Sequence, residues 1–130
     1  MDKLNNYMEK LHSTLINDYS TPCGKYSESC SLIAIEIARI ILEIGKKPYL
    51  AKFNGELVDS INTKILVPKQ FGGRVTWGGH IVCCVGNLVY DPMISVSPID
   101  VKDYCKNTFE DKVNIGVFIP VEQIEKFVNR

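Results

Sequence analysis

The stretch from Cys30 to Ile44, CSLIAIEIARIILEI, is aliphatic at almost every position, and its polar residues Glu36, Arg39 and Glu43 stand three and four apart. On a helix that spacing gathers them into one narrow stripe. A helix apolar over most of its circumference has to be covered by the rest of the chain, so the fold is expected to wrap around this segment. Ser27 to Ser29 supply candidate caps and Gly45 the stop. With Glu36 and Arg39 inside it, the run is too short for a bilayer span of roughly 20 residues.

The other segments read as its cover. Leu4, Tyr7, Met8, Leu11, Leu15 and Tyr19 recur at helical spacing and predict an amphipathic first helix, with His12 off the stripe as a solvated surface histidine. Pro48 to Phe53 suits a strand, Asn54-Gly55 a turn, and Leu57-Val58 the start of a return strand. Arg74 to Val85 reads as a strand interrupted at Gly78-Gly79, with Gly86-Asn87 as a hairpin turn and Leu88 to Asp91 as the partner strand. Ser97-Pro98 predicts the start of a short helix carrying Val101 and Tyr104 inward, Val113 to Ile119 a strand, and Pro120 a terminal helix with Val121, Ile124, Phe127 and Val128 apolar. Helices first and strands after, without repeat or linker, predict one α+β domain over residues 1 to 130.

Lysine plus arginine and aspartate plus glutamate both number 15, so no excess positive charge is present to neutralise a phosphate backbone. Nucleic acid is therefore not an expected partner, and the globular balance of 45% apolar and 23% charged residues, with no run long enough to span a bilayer, points away from a membrane. Residues 1 to 12 lack the basic stretch and apolar block of a secretory signal. The 5 cysteines form neither paired knuckles nor an even-numbered disulfide framework, and free thiols in the cytoplasm, or in a protein delivered without a signal peptide, are expected.

Cys30 falls in the first turn of the central helix, where the helix dipole lowers a thiol's pKa and unsatisfied N–H groups can hold an oxyanion. His80 is the candidate base. With a two-residue turn at Gly86-Asn87, Val85 faces Leu88 and Val82 faces Asp91, which brings Asp91 diagonally across from His80 on one face of the hairpin. A shift of one residue in the turn would send Asp91 to the other face. Trp77, Ser29 and Gly79 are the candidates for the cleft wall and the oxyanion site.

The run from Cys30 through Ala34 and Ala38 to Gly45, followed by GGHIVCCVGNLVYDPM, resembles the core of the transglutaminase-like, papain-like cysteine hydrolases over roughly residues 27 to 93. The resemblance implies a papain-like fold with the cysteine-bearing helix packed on an antiparallel sheet. It also implies Cys30, His80 and Asp91 as catalytic triad, a peptide or protein substrate, and no cofactor. Val82 stands where the family usually has an aromatic residue, and no glutamine or tryptophan precedes Cys30 as oxyanion donor.

Other readings remain at this point. Pro22-Cys23-Gly24 resembles the nucleophile segment of other papain-like enzymes, but lies too far from Gly45 for the helix register. Cys83 and Cys84 are consecutive in a strand, point to opposite faces and make no simple metal clamp; they and Cys105 are expected to be fill. The same fold also allows a non-catalytic binding module, an acyltransferase or deamidase using the same triad, or a zinc site built on Cys30, His80 and another cysteine. Substrate identity and oligomeric state are left open.

Overall fold

The computed structural model describes residues 2–19, 30–55, 57–58, 64–69, 79–110 and 113–129. Within them lie four helices, α1 (Asp2–Tyr19), α2 (Cys30–Glu43), α3 (Val101–Thr108) and α4 (Val121–Val128). The strands are β1 (Tyr49–Gly55), β2 (Leu57–Val58), β3 (Lys64–Ile65), β4 (His80–Val85), β5 (Leu88–Tyr90), β6 (Ile99–Asp100) and β7 (Val113–Ile119). Five of the strands form an open sheet in the order β6-β5-β4-β1-β7, antiparallel at every pairing, and β2 pairs with β3 separately. The architecture is mixed α+β. No described helix is long and apolar enough to cross a membrane.

Helix α2 is the central element expected from its composition. Ile33, Ala34, Ile37, Ala38, Ile40 and Ile41 are buried, and the helix meets α1, α4, β1 and β4. Its polar stripe is put to use: Arg39 reaches Glu36 at 3.1 Å and donates Nε–H and Nη2–H to the carbonyl of Val128 at 2.9 and 2.7 Å. That carbonyl is one of the last of α4, where a cation also meets the negative end of the helix dipole. Glu43 pairs with Lys3 of α1 at 3.0 Å, an exposed contact of little energetic weight. Both flanking helices bury their stripes against the core, through Leu4, Met8 and Leu15 of α1 and Ile124 and Val128 of α4.

The stop at Gly45 is a Schellman turn. Gly45 has φ +82°, its N–H donates to Leu42, and the N–H of Lys46 reaches back to Ile41. Gly86, at φ +56°, opens the expected hairpin turn, and the ladder runs Val85↔Leu88, Cys84↔Val89, Cys83↔Tyr90. The carbonyl of Asn87 accepts from the N–H of Val101 at 2.8 Å, which ties the hairpin tip to the start of α3.

Three expectations are corrected. Asn54 and Gly55 are not a turn: they continue β1 and pair with Asn114 and Val113 of β7, so pairing with a distant strand overrides the local turn preference. Leu57-Val58 does not return along β1, whose neighbours are β4 and β7, but pairs with β3. Helix α3 begins at Val101 and not at Ser97-Pro98, because Ile99 and Asp100 are drawn into the sheet as β6 and Asp100 then caps the helix through Lys102 N–H at 2.9 Å. Val113 to Ile119 and the Pro120 helix lie where the pattern set them.

Replacing Gly45 by Ala should cost about 1 kcal/mol of stability, since its left-handed φ penalises any Cβ although nothing crowds the position. Urea denaturation should show a lower midpoint at unchanged slope, with Gly45→Asn less affected.

Candidate active site

The hairpin register sets the site. Continuing one step beyond Cys83↔Tyr90 brings Asp91 opposite Val82, hence onto the face that carries His80. The two side chains meet there: His80 Nε2 lies 2.7 Å from Asp91 Oδ2, with the residues only 2% and 5% exposed. An ionised carboxylate only accepts, so the imidazole donates from Nε2 and turns Nδ1 to its other neighbour. That neighbour is Cys30 at the start of α2, which lines one crevice with His80 and Ile81, so the imidazole and the Ile81 N–H both favour its thiolate.

Asp91 is held on every side. Oδ2 accepts a second hydrogen bond from the Tyr104 hydroxyl at 2.6 Å, and Oδ1 accepts from the N–H of Met93 at 3.0 Å. Its backbone carbonyl takes the N–H groups of Ile94 and Ser95, closing a turn directly after the carboxylate. Removing a carboxylate and an imidazolium from water costs several kcal/mol each, and this set of donors together with the mutual attraction offsets it.

The electrostatics follow from these contacts. Burial alone would raise the thiol pKa of Cys30, but the hydrogen bond and charge of His80 and the Ile81 N–H outweigh it and hold the thiol below its ordinary value. Burial would likewise lower His80; the charge and hydrogen bond of Asp91, with Cys30, push it up to about 9. Burial opposes ionisation of Asp91 too, and His80, Tyr104 and Met93 bring it below the usual carboxylate range. A thiol shifted down beside an imidazole shifted up is the condition for a thiolate–imidazolium pair.

Cys30, Ala34, His80, Tyr90, Pro92 and Met93 line a narrow crevice over this chain of contacts. Gly79 stands just before His80; a Cβ there would come within 3.1 Å of the flexible Lys52 side chain but only to an ordinary 3.6 Å of the Phe53 carbonyl, so the approach of β1 does not itself require glycine. Ser29, Trp77, Gly78 and Cys23 lie outside the described residues, as do the caps expected at Ser27 to Ser29. Cys83 and Cys84 are both buried, one on each face of β4, and burial pushes both thiols well up, that of Cys84 to about 12. Cys105 is half-buried. Among the described residues, no three His, Cys, Asp or Glu side chains are grouped to hold a metal.

Two residues of the site were not singled out as functional in the sequence. Tyr104 was expected only to face inward, and its hydroxyl turns out to be the second partner of Asp91 Oδ2. His12, expected as a solvated surface residue, is corrected: it is part-buried and its Nδ1–H donates to the Pro92 carbonyl at 2.7 Å, fixing α1 to the turn that follows Asp91. Its partner is 80 residues away and carries no local signal. Comparison with protein-family models, with curated proteins and with solved structures finds no match for the chain.

Because Asp91 is depressed in the folded chain relative to 3.8, its contribution to stability is present above pH 3.8 and is lost as the pH falls through the lower folded value. Urea midpoints of the wild-type protein should therefore drop on acidification below pH 3.8 more steeply than those of Asp91→Asn, which has no carboxylate to protonate.

Proposed function

We propose that this chain is a cysteine hydrolase of the transglutaminase-like, papain-like kind, acting on an amide or peptide carbonyl of a peptide or protein. The observation that carries the reading is the convergence of three side chains: the Cys30 thiol at the start of a helix shares one crevice with the His80 ring, and that ring is hydrogen-bonded to the buried Asp91 carboxylate at 2.7 Å. Each link is what the chemistry requires. A nucleophile needs a depressed pKa, its base must touch it, and a third group must hold the base in the useful tautomer.

In the proposed reaction the Cys30 thiolate attacks the carbonyl carbon, and the N–H groups of the first turn of α2 receive the negative charge on its oxygen. Collapse of the tetrahedral species breaks the carbon–nitrogen bond. The His80 imidazolium gives its proton to the departing amine, leaving a thioester on Cys30 and a neutral imidazole. Water then attacks the thioester while His80 takes its proton, and expulsion of the thiolate releases the acid and restores the ion pair. Asp91 keeps the Nε2–H directed at itself throughout, so that Nδ1 is the nitrogen that moves protons. An amine in place of water would give transfer by the same steps, and water acting on a glutamine side chain would give deamidation.

Exposure to p-nitrophenyl acetate should give a burst of about one nitrophenolate per chain followed by slower turnover, with the acetyl group on Cys30 by peptide mass mapping. Cys30→Ser and His80→Ala should each lower the burst rate by roughly 10² to 10⁴. Equal acetylation of several thiols, or a burst indifferent to His80→Ala, would reject a hydrolase in favour of a non-catalytic binding module. A peptide library presented to the same variants then reads out the substrate.

A further inference from the structure

Asp91 Oδ2 holds His80 at 2.7 Å and the Tyr104 hydroxyl at 2.6 Å, so two donors share one carboxylate oxygen. Tyr104 is completely buried, with its ring against Phe53 at a centroid distance of 5.0 Å and against Phe109 at 5.9 Å. Phe53 is the residue that pairs with His80 across β1 and β4, so the aromatic packing that fixes the tyrosine is built on the same strand position as the imidazole. The hydroxyl thus has a fixed aim, at the oxygen that steadies the ring.

We propose that Tyr104 is a positioning residue that regulates how tightly His80 holds its proton, by drawing negative charge from the oxygen of Asp91 to which the imidazole is bonded. The inference rests on the reading of Cys30, His80 and Asp91 as a catalytic triad, and names a fourth group acting through the third. When His80 is an imidazolium, part of the carboxylate's charge is already engaged and the bond to Tyr104 is weaker. When His80 is neutral, the whole charge falls on the remaining donors and that bond is strongest. Tyr104 therefore favours the neutral ring relative to a chain without the hydroxyl, and eases transfer of the proton to the leaving amine.

The hydroxyl itself does not enter proton traffic, since burial and the adjacent Asp91 raise it well above its ordinary value and it stays a donor. The other titratable groups facing this set, among the described residues, are Cys30 of α2, Cys84 of β4 and Cys105 of α3. Cys84 is pushed up to about 12 by burial and stays a neutral thiol where His80 titrates, while burial shifts Cys105 upward. The titration is therefore read on the His80 ring itself, whose own nitrogens report its proton.

The test is a titration of the His80 ring by its nitrogen-15 chemical shifts, in the full chain and in Tyr104→Phe, beside the pH dependence of Cys30 alkylation by iodoacetamide. In Tyr104→Phe the alkaline midpoint should move up by roughly half a unit to one unit, the part of a charge-assisted hydrogen bond that differs between the two protonation states. A merely structural tyrosine would lower stability and leave the midpoint in place; an unchanged or lower midpoint overturns the proposal. Should Tyr104→Phe not fold, 3-fluorotyrosine at position 104, a stronger donor, should move the midpoint down, and no movement or a rise is the overturning result. The titration needs no substrate, so failure of Cys30 to react in the wild-type chain would reject the hydrolase reading, while the shift of His80 still decides the role of Tyr104.

Discussion

The buried contact between His80 and Asp91 is the interaction around which the rest is arranged, because two groups that prefer water are less than a tenth exposed and 2.7 Å apart. Neither is tolerable there alone. An unpaired buried charge costs several kcal/mol, so the pair stands only if the hairpin register, the turn after Asp91 and the ring of Tyr104 are all in place. The register depends in turn on the left-handed Gly86, and a slip of one residue would separate the two side chains onto opposite faces of the sheet.

This dependence explains which parts of the fold and the site are legible in the sequence alone. The juxtaposition of His80 and Asp91 was legible because it needs only the Gly86-Asn87 turn and the alternation of a strand, both local. Helix α2 was legible because its aliphatic run has a single way to be buried. Asn54-Gly55 was misread for the opposite reason: a dipeptide favourable to a turn lies where β7 supplies ladder partners from some sixty residues away, and no local pattern announces that pairing. The same holds for the start of α3, where Ile99 and Asp100 are claimed by β5 before the helix can begin.

Long-range polar contacts were the least visible. His12 sits off the apolar stripe of α1, and its partner is a backbone carbonyl, which has no residue-type signature at all. The inward position of Tyr104 follows from helical spacing, whereas the destination of its hydroxyl depends on how α3 is docked through Asn87 and Asp100. A tyrosine at full burial nevertheless demands a partner for its oxygen, and the carboxylate already placed on the nearby hairpin is the acceptor with most to gain from it.

The segment from Asp91 to Met93 is therefore where the helices converge. Helix α1 grips it through His12 and Pro92, α3 through Tyr104, and α2 brings Cys30 to the imidazole that Asp91 holds. The geometry of the site is consequently a property of the packed domain, not of a surface loop that could adjust by itself. Loosening α1 or α3 would first release a donor from this short segment, and the imidazole, whose alignment depends on Asp91, would lose its aim at the sulfur before the core itself came apart.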